Sequence, residues 1–536
     1  MRVVASFSAS AAEGRLAQPG THGARWYTAA TMPESRAMTA LLVVLLCLAA
    51  ACGPSAAQPE QEAPDRQEQR HLLIVLDGLR PDYVTPELMP NLHALGERGV
   101  VFTNHHAVYP TVTRVNAASI STGAYPETHG LMGNAVFFPA VDPTRFLNTG
   151  QRDNLLRIEE AEGGRLLTAP TLGERLQGAG LRMLVASAGS SGSSYLLNHR
   201  VAGGGIIHYE YALPEVLGAA VRERLGPPPS LATPSRERNR YIVDALLEVG
   251  LEQVDPVVTV LWLTDPDTTA HANGIGHPAS VASLRAVDEE IRRIQDGLRA
   301  AGLLESLNIW VTSDHGFSTY TGAVDLDALL APFAGTLADG SPRIVAGSGA
   351  IYVRDGDAGA VAGIVEALQG SDQVGAIFTR DAQVPGTLAF DAARWDHVRS
   401  ADILYSVAWT DAENEYGYRG TSASNGTAGH GSTSPWDIHN TLIAAGPALQ
   451  SGMEVALPTS NVDFAPTFLY LLGLSAAPTM AGRPLTEALR DGPDLAAEPR
   501  AAEIARETPD GRYRAVARST VVLGRRYLDS ATAERP

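Results

Sequence analysis

Three short runs rich in Leu, Ile and Val, at His71–Leu76 (HLLIVL), Val257–Leu263 (VVTVLWL) and Leu307–Thr312 (LNIWVT), are each followed within a few residues by aspartate. Runs this short and apolar read as strands buried on both faces, which belong in parallel sheets covered by helices. Between them lie helical patterns: Pro90–Gly99, Thr113–Thr122 closed by Gly123, Leu172–Gln177 closed by Gly178, and Pro278–Ala301 with paired charges. Further strands are expected over Val100–Tyr109, Arg182–Ala186 and Thr441–Ala445, and a last helix over Val462–Leu472. This alternation predicts an α/β fold, a mostly parallel central sheet with helices on both faces. Ligands of such sheets bind beyond the C-terminal ends of the strands, where these aspartates fall.

At 536 residues the chain accommodates one large α/β domain with insertions, or two or three smaller domains. The segment from about 323 to 425 carries its own signals, such as Ala350–Val353 and Ala358–Leu368. It reads as a smaller α+β subdomain inserted into a catalytic domain spanning 71–490. Residues 491–536 are polar and rich in Ala, Arg and Glu, and read as a C-terminal tail with one strand-like run, Ala515–Leu523.

Composition removes several function classes. A formal charge of -18 argues against a nucleic acid polymer as partner, although a small phosphorylated ligand is compatible if cations supply the positive charge. The chain contains no lysine, so a P-loop and Schiff-base chemistry are both excluded. Its two cysteines, Cys47 and Cys52, lie near the N-terminus, so metals in the body of the protein must use His, Asp, Glu or hydroxyl ligands. The apolar run Leu41–Ala51 is too short to span a bilayer and suits the core of a signal peptide. Small residues then lead to Cys52, and residues 52–70 read as a disordered Pro/Gln/Glu/Ala linker. This looks like a bacterial lipoprotein signal with Cys52 lipidated; a plain cleavable signal is the alternative. Either places the protein in the cell envelope or periplasm, touching membrane only through the anchor. Residues 1–31 fit neither signal nor domain, and a start at Met32 or Met38 suits the segment better.

The strand ends deliver metal-ligand residue types. Asp77 follows the first run, Asp267 and His271 follow the second as D-T-T-A-H, Asp314 and His315 follow the third as D-H-G, and His430 sits in G-H-G-S. A D-x-x-x-H alone can be a helix-surface pair, and a lone histidine is usually an ordinary loop residue. Three histidines and three aspartates placed jointly at strand ends suit two borderline divalent cations, most naturally zinc. Two ions about 3.5–4 Å apart can clamp the attacking and leaving oxygens of a phosphoryl displacement. Thr113 opens a helix, near unpaired N–H groups and the positive end of the helix dipole, a suitable place for a phosphoryl group. Its alternative role is a helix N-cap.

The blocks IVLDGLRPD, YPTVTRVNAASISTGAYPETHGLMGN, TDPDTTAH, TSDHGF and HGSTSPWDIHNTLIAAGP resemble, in order and spacing, the type I phosphodiesterase/nucleotide pyrophosphatase branch of the alkaline phosphatase superfamily. The resemblance runs from about His71 to Leu485 and implies an alkaline-phosphatase-like fold. It further implies one cation on Asp77, Thr113, Asp314 and His315 and another on Asp267, His271 and His430. Asn134 falls where the family places an amide donor to a non-bridging phosphate oxygen; a turn asparagine beside Gly133 is the plainer reading. The activity implied is hydrolysis of a small phosphodiester through a phosphorylated Thr113.

Two positions depart from the nucleotide-cleaving pattern. Arg114 stands where those members carry an aromatic, and suits a second anionic group on the substrate or a solvated helix charge. Trp262 aligns with another aromatic of the family's substrate pocket, and could stack a ring or pack within its strand. Asp437, His129, His277 and His439 lie near the blocks; His430 is preferred to His439 as the ligand because His439 immediately precedes a buried strand, and the pair His105–His106 reads as structural or as support behind the ligands. A phosphomonoesterase or phosphonate hydrolase with the same cations stays open, as does an inactive metal-binding envelope lipoprotein.

Overall fold

In the computed structural model, which describes residues 69–536 apart from 202, 494 and 496, the three apolar runs lie side by side. The segment expected to be an export signal, Cys52 and the expected linker up to residue 68 lie outside the described residues. The central sheet comprises β1 (Arg70–Leu76), β2 (Val100–Phe102), β3 (Met183–Ser187), β4 (Gly205–His208), β5 (Ala212–Leu213), β6 (Val258–Leu263), β7 (Leu307–Thr312), β8 (Leu442–Ala445) and β9 (Met453–Val455). Its order is β9-β2-β8-β7-β1-β6-β3-β4-β5. The middle is parallel: β1 sets Leu73 opposite Trp310 of β7 on one side and Val260 of β6 on the other. Strands β5 and β8 run antiparallel to their neighbours. Because β1, β6 and β7 share direction and register, the loops leaving them emerge at one edge.

Side-chain alternation divides β1 between two cores. Leu73 and Val75 face one, with Ile120 and Phe468 from helices Thr113–Thr122 and Phe464–Leu471. Leu72, Ile74 and Leu76 face the other, with Leu95 and the long helix Pro278–Ala300. Along that helix Leu284, Val287, Ile291, Ile294 and Leu298 recur at helical spacing and are buried, while Arg292 pairs with Glu289 and Asp296 on the outer face. Ile291→Ala is expected to destabilise the protein by about 2–5 kcal/mol, because the surrounding sheet cannot collapse into the cavity. Thermal or denaturant unfolding checks this; an unchanged midpoint would mean that the helix does not depend on this face.

The expected strand Val100–Tyr109 is broken. Only Val100–Phe102 joins the central sheet; His105–His106 pairs separately with Thr459–Ser460. The segment expected as an insertion forms a five-stranded sheet of Ile344–Gly347, Ala350–Val353, Val374–Thr379, Leu388–Ala389 and Ile403–Val407. Strands Trp409–Glu413 and Arg419–Ser422 instead join Ser318–Tyr320 and Ala428–Gly429 in a separate small sheet.

The segment read as a polar tail is folded. Arg500–Glu507, Arg514–Val522 and Arg525–Glu534 form a three-stranded antiparallel sheet. It is fastened by Tyr513 Oη donating to Gly375 O at 2.8 Å and by Ala531 exchanging backbone and side-chain hydrogen bonds with Thr433. The middle strand matches the run expected over Ala515–Leu523, whereas Arg500–Glu507 is half-buried to exposed and Arg525–Glu534 mostly half-buried, both charged, so neither carries an apolar signature.

Candidate metal centre

The edge where β1, β6 and β7 end carries the charged cluster. Asp77 directly follows β1, and its N–H donates to Leu263 O at 3.0 Å. Gly78 turns the chain at φ +74°, and a Cβ there would meet the Asp267 backbone at 3.2 Å, so this approach requires glycine. The Gly78 N–H donates to Asp314 Oδ1 at 3.1 Å, tying the ends of β1 and β7 together. Asp267 is the first residue of helix Asp267–Asn273 and places His271 one turn on, with His271 Nε2 3.1 Å from Asp267 Oδ1. His430 Nε2 lies 3.4 Å from the same oxygen. His315 Nε2 lies 3.1 Å from Asp314 Oδ2, 3.5 Å from Asp77 Oδ1 and 3.4 Å from Thr113 Oγ1. Residues from widely separated parts of the chain thus converge on one site.

Each histidine is held in the same way. The Nδ1 atoms of His271, His315 and His430 lie 2.9, 2.9 and 2.8 Å from the carbonyl oxygens of Ala428, Gly316 and Thr111. A carbonyl only accepts, so Nδ1 carries the hydrogen and a neutral ring presents its Nε2 lone pair to the carboxylates. Accordingly Asp77 Oδ1, Asp267 Oδ1 and Asp314 Oδ2 are buried with no hydrogen-bond donor. Bare buried carboxylate oxygens facing lone pairs are costly, and divalent cations would satisfy both sets. Donor atoms of Asp267, His271 and His430 lie within 4.8 Å of one another, as do those of Asp77, Asp267 and His315. The donor set fits cation binding.

Without cations, protons bear the electrostatic load. Burial, with Asp314 and Asp267 nearby, pushes the Asp77 carboxyl well above the usual range. Burial acts the same way on Asp267, but His271 and His430 override it and hold Asp267 well below that range. Burial opposes charge on His271 and His315, yet their aspartate neighbours raise both. His430, buried and stacked on His315 with ring centroids 3.4 Å apart, is held down at about 4.

Thr113 is buried and is the first residue of its helix; the N-cap is Val112, and the Thr113 hydroxyl makes no capping bond. The capping role considered for it is therefore absent. Asn134 Oδ1 accepts the Arg114 N–H at 3.0 Å, which turns the amide NH2 to the opposite side, and Asn134 lines an open cleft of about 430 Å³. Arg114 extends along Gly150, where a Cβ would come within 2.7 Å of its Nη2. Its Nε is buried and unpartnered, and the aspartates Asp77, Asp267 and Asp314 act on its charge.

Trp262 does not serve as a substrate platform. It is fully buried in β6, and its indole N–H donates to Asp77 Oδ2 at 2.9 Å. Alternation along β6 turns it inward with Val258 and Val260, so it orients Asp77 instead of stacking a ligand ring. Trp262→Phe keeps most of the packing and removes the donor. We expect metal affinity to fall by about 10–100-fold; competition with a chromogenic chelator measures it, and unchanged affinity would refute the role.

The remaining polar residues are structural here. Asp437 accepts from Ser318 Oγ and from the Ser432 N–H and hydroxyl; His277 Nδ1 accepts the Ala279 N–H at the start of its helix; His129 binds Ser119 and the Leu131 N–H. Sequence reasoning missed Asn461, which donates to Asp314 O and Asn116 Oδ1, and the cleft residues Tyr320, Ser348, Tyr405 and Ser422. None sits in a chemical motif, and only the fold brings them near.

A family model for type I phosphodiesterase/nucleotide pyrophosphatase matches residues 71–432. Ectonucleotide pyrophosphatase/phosphodiesterase family member 1 of Rattus norvegicus is 27% identical over 247 residues, which is 46% of this chain and 24% of that protein. The match thus spans about a quarter of that relative. The bis(5'-adenosyl)-triphosphatase of Bos taurus is 24% identical over 420 residues, covering 76% of this chain and 79% of the relative. Murine ectonucleotide pyrophosphatase/phosphodiesterase 5, solved in complex with AMP, superposes with a TM-score of 0.57 at 19% identity, covering 78% of this chain and 100% of that one. That likeness shows an alkaline-phosphatase-like fold.

Proposed function

The chain belongs to the type I phosphodiesterase/nucleotide pyrophosphatase family, and from that premise we propose that it hydrolyses small phosphodiesters or pyrophosphates through a phosphorylated Thr113. The observation carrying this reading is the set of bare oxygens on Asp77, Asp267 and Asp314, gathered with three oriented Nε2 atoms beside the Thr113 hydroxyl. Asp77, Thr113, Asp314 and His315 would hold one cation and Asp267, His271 and His430 the other, zinc suiting this nitrogen and oxygen set best. Bound there, the pair would supply Lewis-acid stabilisation of the attacking and leaving oxygens.

The chain's own groups do the rest. Thr113 Oγ1 attacks phosphorus as the bond to the leaving oxygen breaks, and water then cleaves the threonine phosphate. The first turn of helix Thr113–Thr122 directs its dipole at the phosphoryl group. Asn134, anchored through Oδ1, donates its amide to a non-bridging oxygen. Nucleotide cleavage is named for the relatives, and supports nucleotide-derived esters as the substrate class here. Arg114 favours a second reading, a phosphomonoester or phosphonate, because an unpaired guanidinium facing the site suits extra negative charge.

Turnover of bis-p-nitrophenyl phosphate against p-nitrophenyl phosphate, with and without chelator, separates these. Faster diester cleavage that chelation abolishes is expected. Preference for the monoester would favour the second reading, and a metal-loaded protein that cleaves neither would be a binding protein. The signal-like segment supports an envelope location with lipid on Cys52, and the mass of the mature N-terminal peptide tests that.

A further inference from the structure

A second group of metal-ligand residues lies apart from the centre described above and shares none of its side chains. His106, His439 and Asp529 each direct a donor atom into one space, all within 4.8 Å of one another. His106 is buried on the short strand His105–His106, His439 follows the helical turn Pro435–Ile438, and Asp529 lies on the last strand of the C-terminal sheet.

Three features mark this group as built to face a cation. His106 Nδ1 lies 2.9 Å from Thr459 O, so its hydrogen is committed there and the Nε2 lone pair points at Asp529 Oδ1, also 2.9 Å away. An imidazole nitrogen and a carboxylate oxygen this close are joined either by a proton or by a cation that replaces it. The second carboxylate oxygen of Asp529 accepts the Thr520 hydroxyl at 2.8 Å, the outer support expected of a metal-binding carboxylate. Asp529 is also the extra residue of a β-bulge: Arg518 pairs with Ser530 and Ser519 with Leu528, leaving Asp529 unopposed. Bulges re-aim side chains, and this one turns Asp529 towards His106. His439 completes the set, its ring centroid 4.6 Å from that of His106.

We propose that His106, His439 and Asp529 form a further divalent-cation site, structural in role and suited to zinc, that clips the C-terminal sheet to the catalytic core. Bonds of about 2.0–2.2 Å in a tetrahedral site place ligand atoms about 3.3 Å apart, so His106 Nε2 and Asp529 Oδ1, now 2.9 Å apart, would separate by a few tenths of an ångström, and two imidazoles with one carboxylate is a common zinc donor set. The site joins the last strand to segments near residues 106 and 439, so the cation would close long loops of chain.

The test is metal content and thermal stability with Zn2+ as the only added metal. Wild-type full chain is expected to retain about one more equivalent of zinc than Asp529→Asn or His439→Gln, and only wild type should lose that share of its zinc-dependent stabilisation when the site is emptied. Thr520→Val keeps all three ligands and should weaken the extra equivalent by about tenfold or more, which holds the idea open to refutation if the other variants fold poorly. Equal zinc content in wild type and variants would overturn the proposal and leave a proton between His106 and Asp529. Because the readout is a difference in metal content, it is independent of whether the chain cleaves phosphoesters.

Discussion

Replacing Thr113 with alanine is expected to lower phosphodiester turnover by on the order of a thousandfold or more, while the folded protein keeps its cations. Removal of a covalent nucleophile leaves only the rate that binding and electrostatics supply. The variant should fold normally, because Val112 is the helix N-cap and the Thr113 hydroxyl supports no backbone N–H. Six other ligands remain, so the drop in rate should exceed the drop in metal content. Thr113→Ser, which restores an oxygen without the methyl group, should recover much of the activity. Steady-state kinetics beside zinc analysis decides the matter: an alanine variant that keeps a tenth of the rate would remove Thr113 from the reaction.

Asp267→Asn carries the second large effect, on function and on stability alike. Its Oδ1 serves both His271 and His430, so the neutral amide should cost about one equivalent of zinc and at least about a hundredfold in turnover. His271 and His430 hold the Asp267 carboxyl well below its usual range against the pull of burial, so its charge adds stability that is present above the ordinary carboxylate range and is lost as pH falls. Asp267→Asn should therefore melt below wild type at neutral pH, by a wider margin in zinc than in chelator, and the chelated difference should shrink as the pH falls. Unchanged zinc content with the same margin in both conditions would mean that Asp267 is a packing residue and not a ligand.

The parts of this fold that could be read in advance share one property: their signal is local. The runs ending at Leu76, Leu263 and Thr312 are apolar enough to be buried strands in any setting, and the residues after them carry metal-binding chemistry. Where the signal depended on distant partners, it was lost. Val100–Tyr109 is uniformly compatible with a strand, but the partner of His105–His106 is Thr459–Ser460, more than three hundred residues away, and the chain breaks between the two pairings. Of the last sheet only the middle strand shows in the sequence, over Ala515–Leu523; Arg500–Glu507 and Arg525–Glu534 are largely half-buried or exposed and carry too many charges to read as strands. Of the two readings open for Trp262, register decides for packing within the strand: it shares a face with Val258 and Val260, and that face is the core. The cleft walls at Ser348, Tyr405 and Ser422 come from the inserted segment, and no spacing along the chain announces them.

The hydrogen bonds that set the three site imidazoles end on main-chain oxygens of Thr111, Gly316 and Ala428, which every amino acid supplies. Ring orientation is thus insulated from mutation of the side chains around it. Side chains on the approach to the site, Arg114 among them, can therefore be exchanged by mutation without turning the three rings.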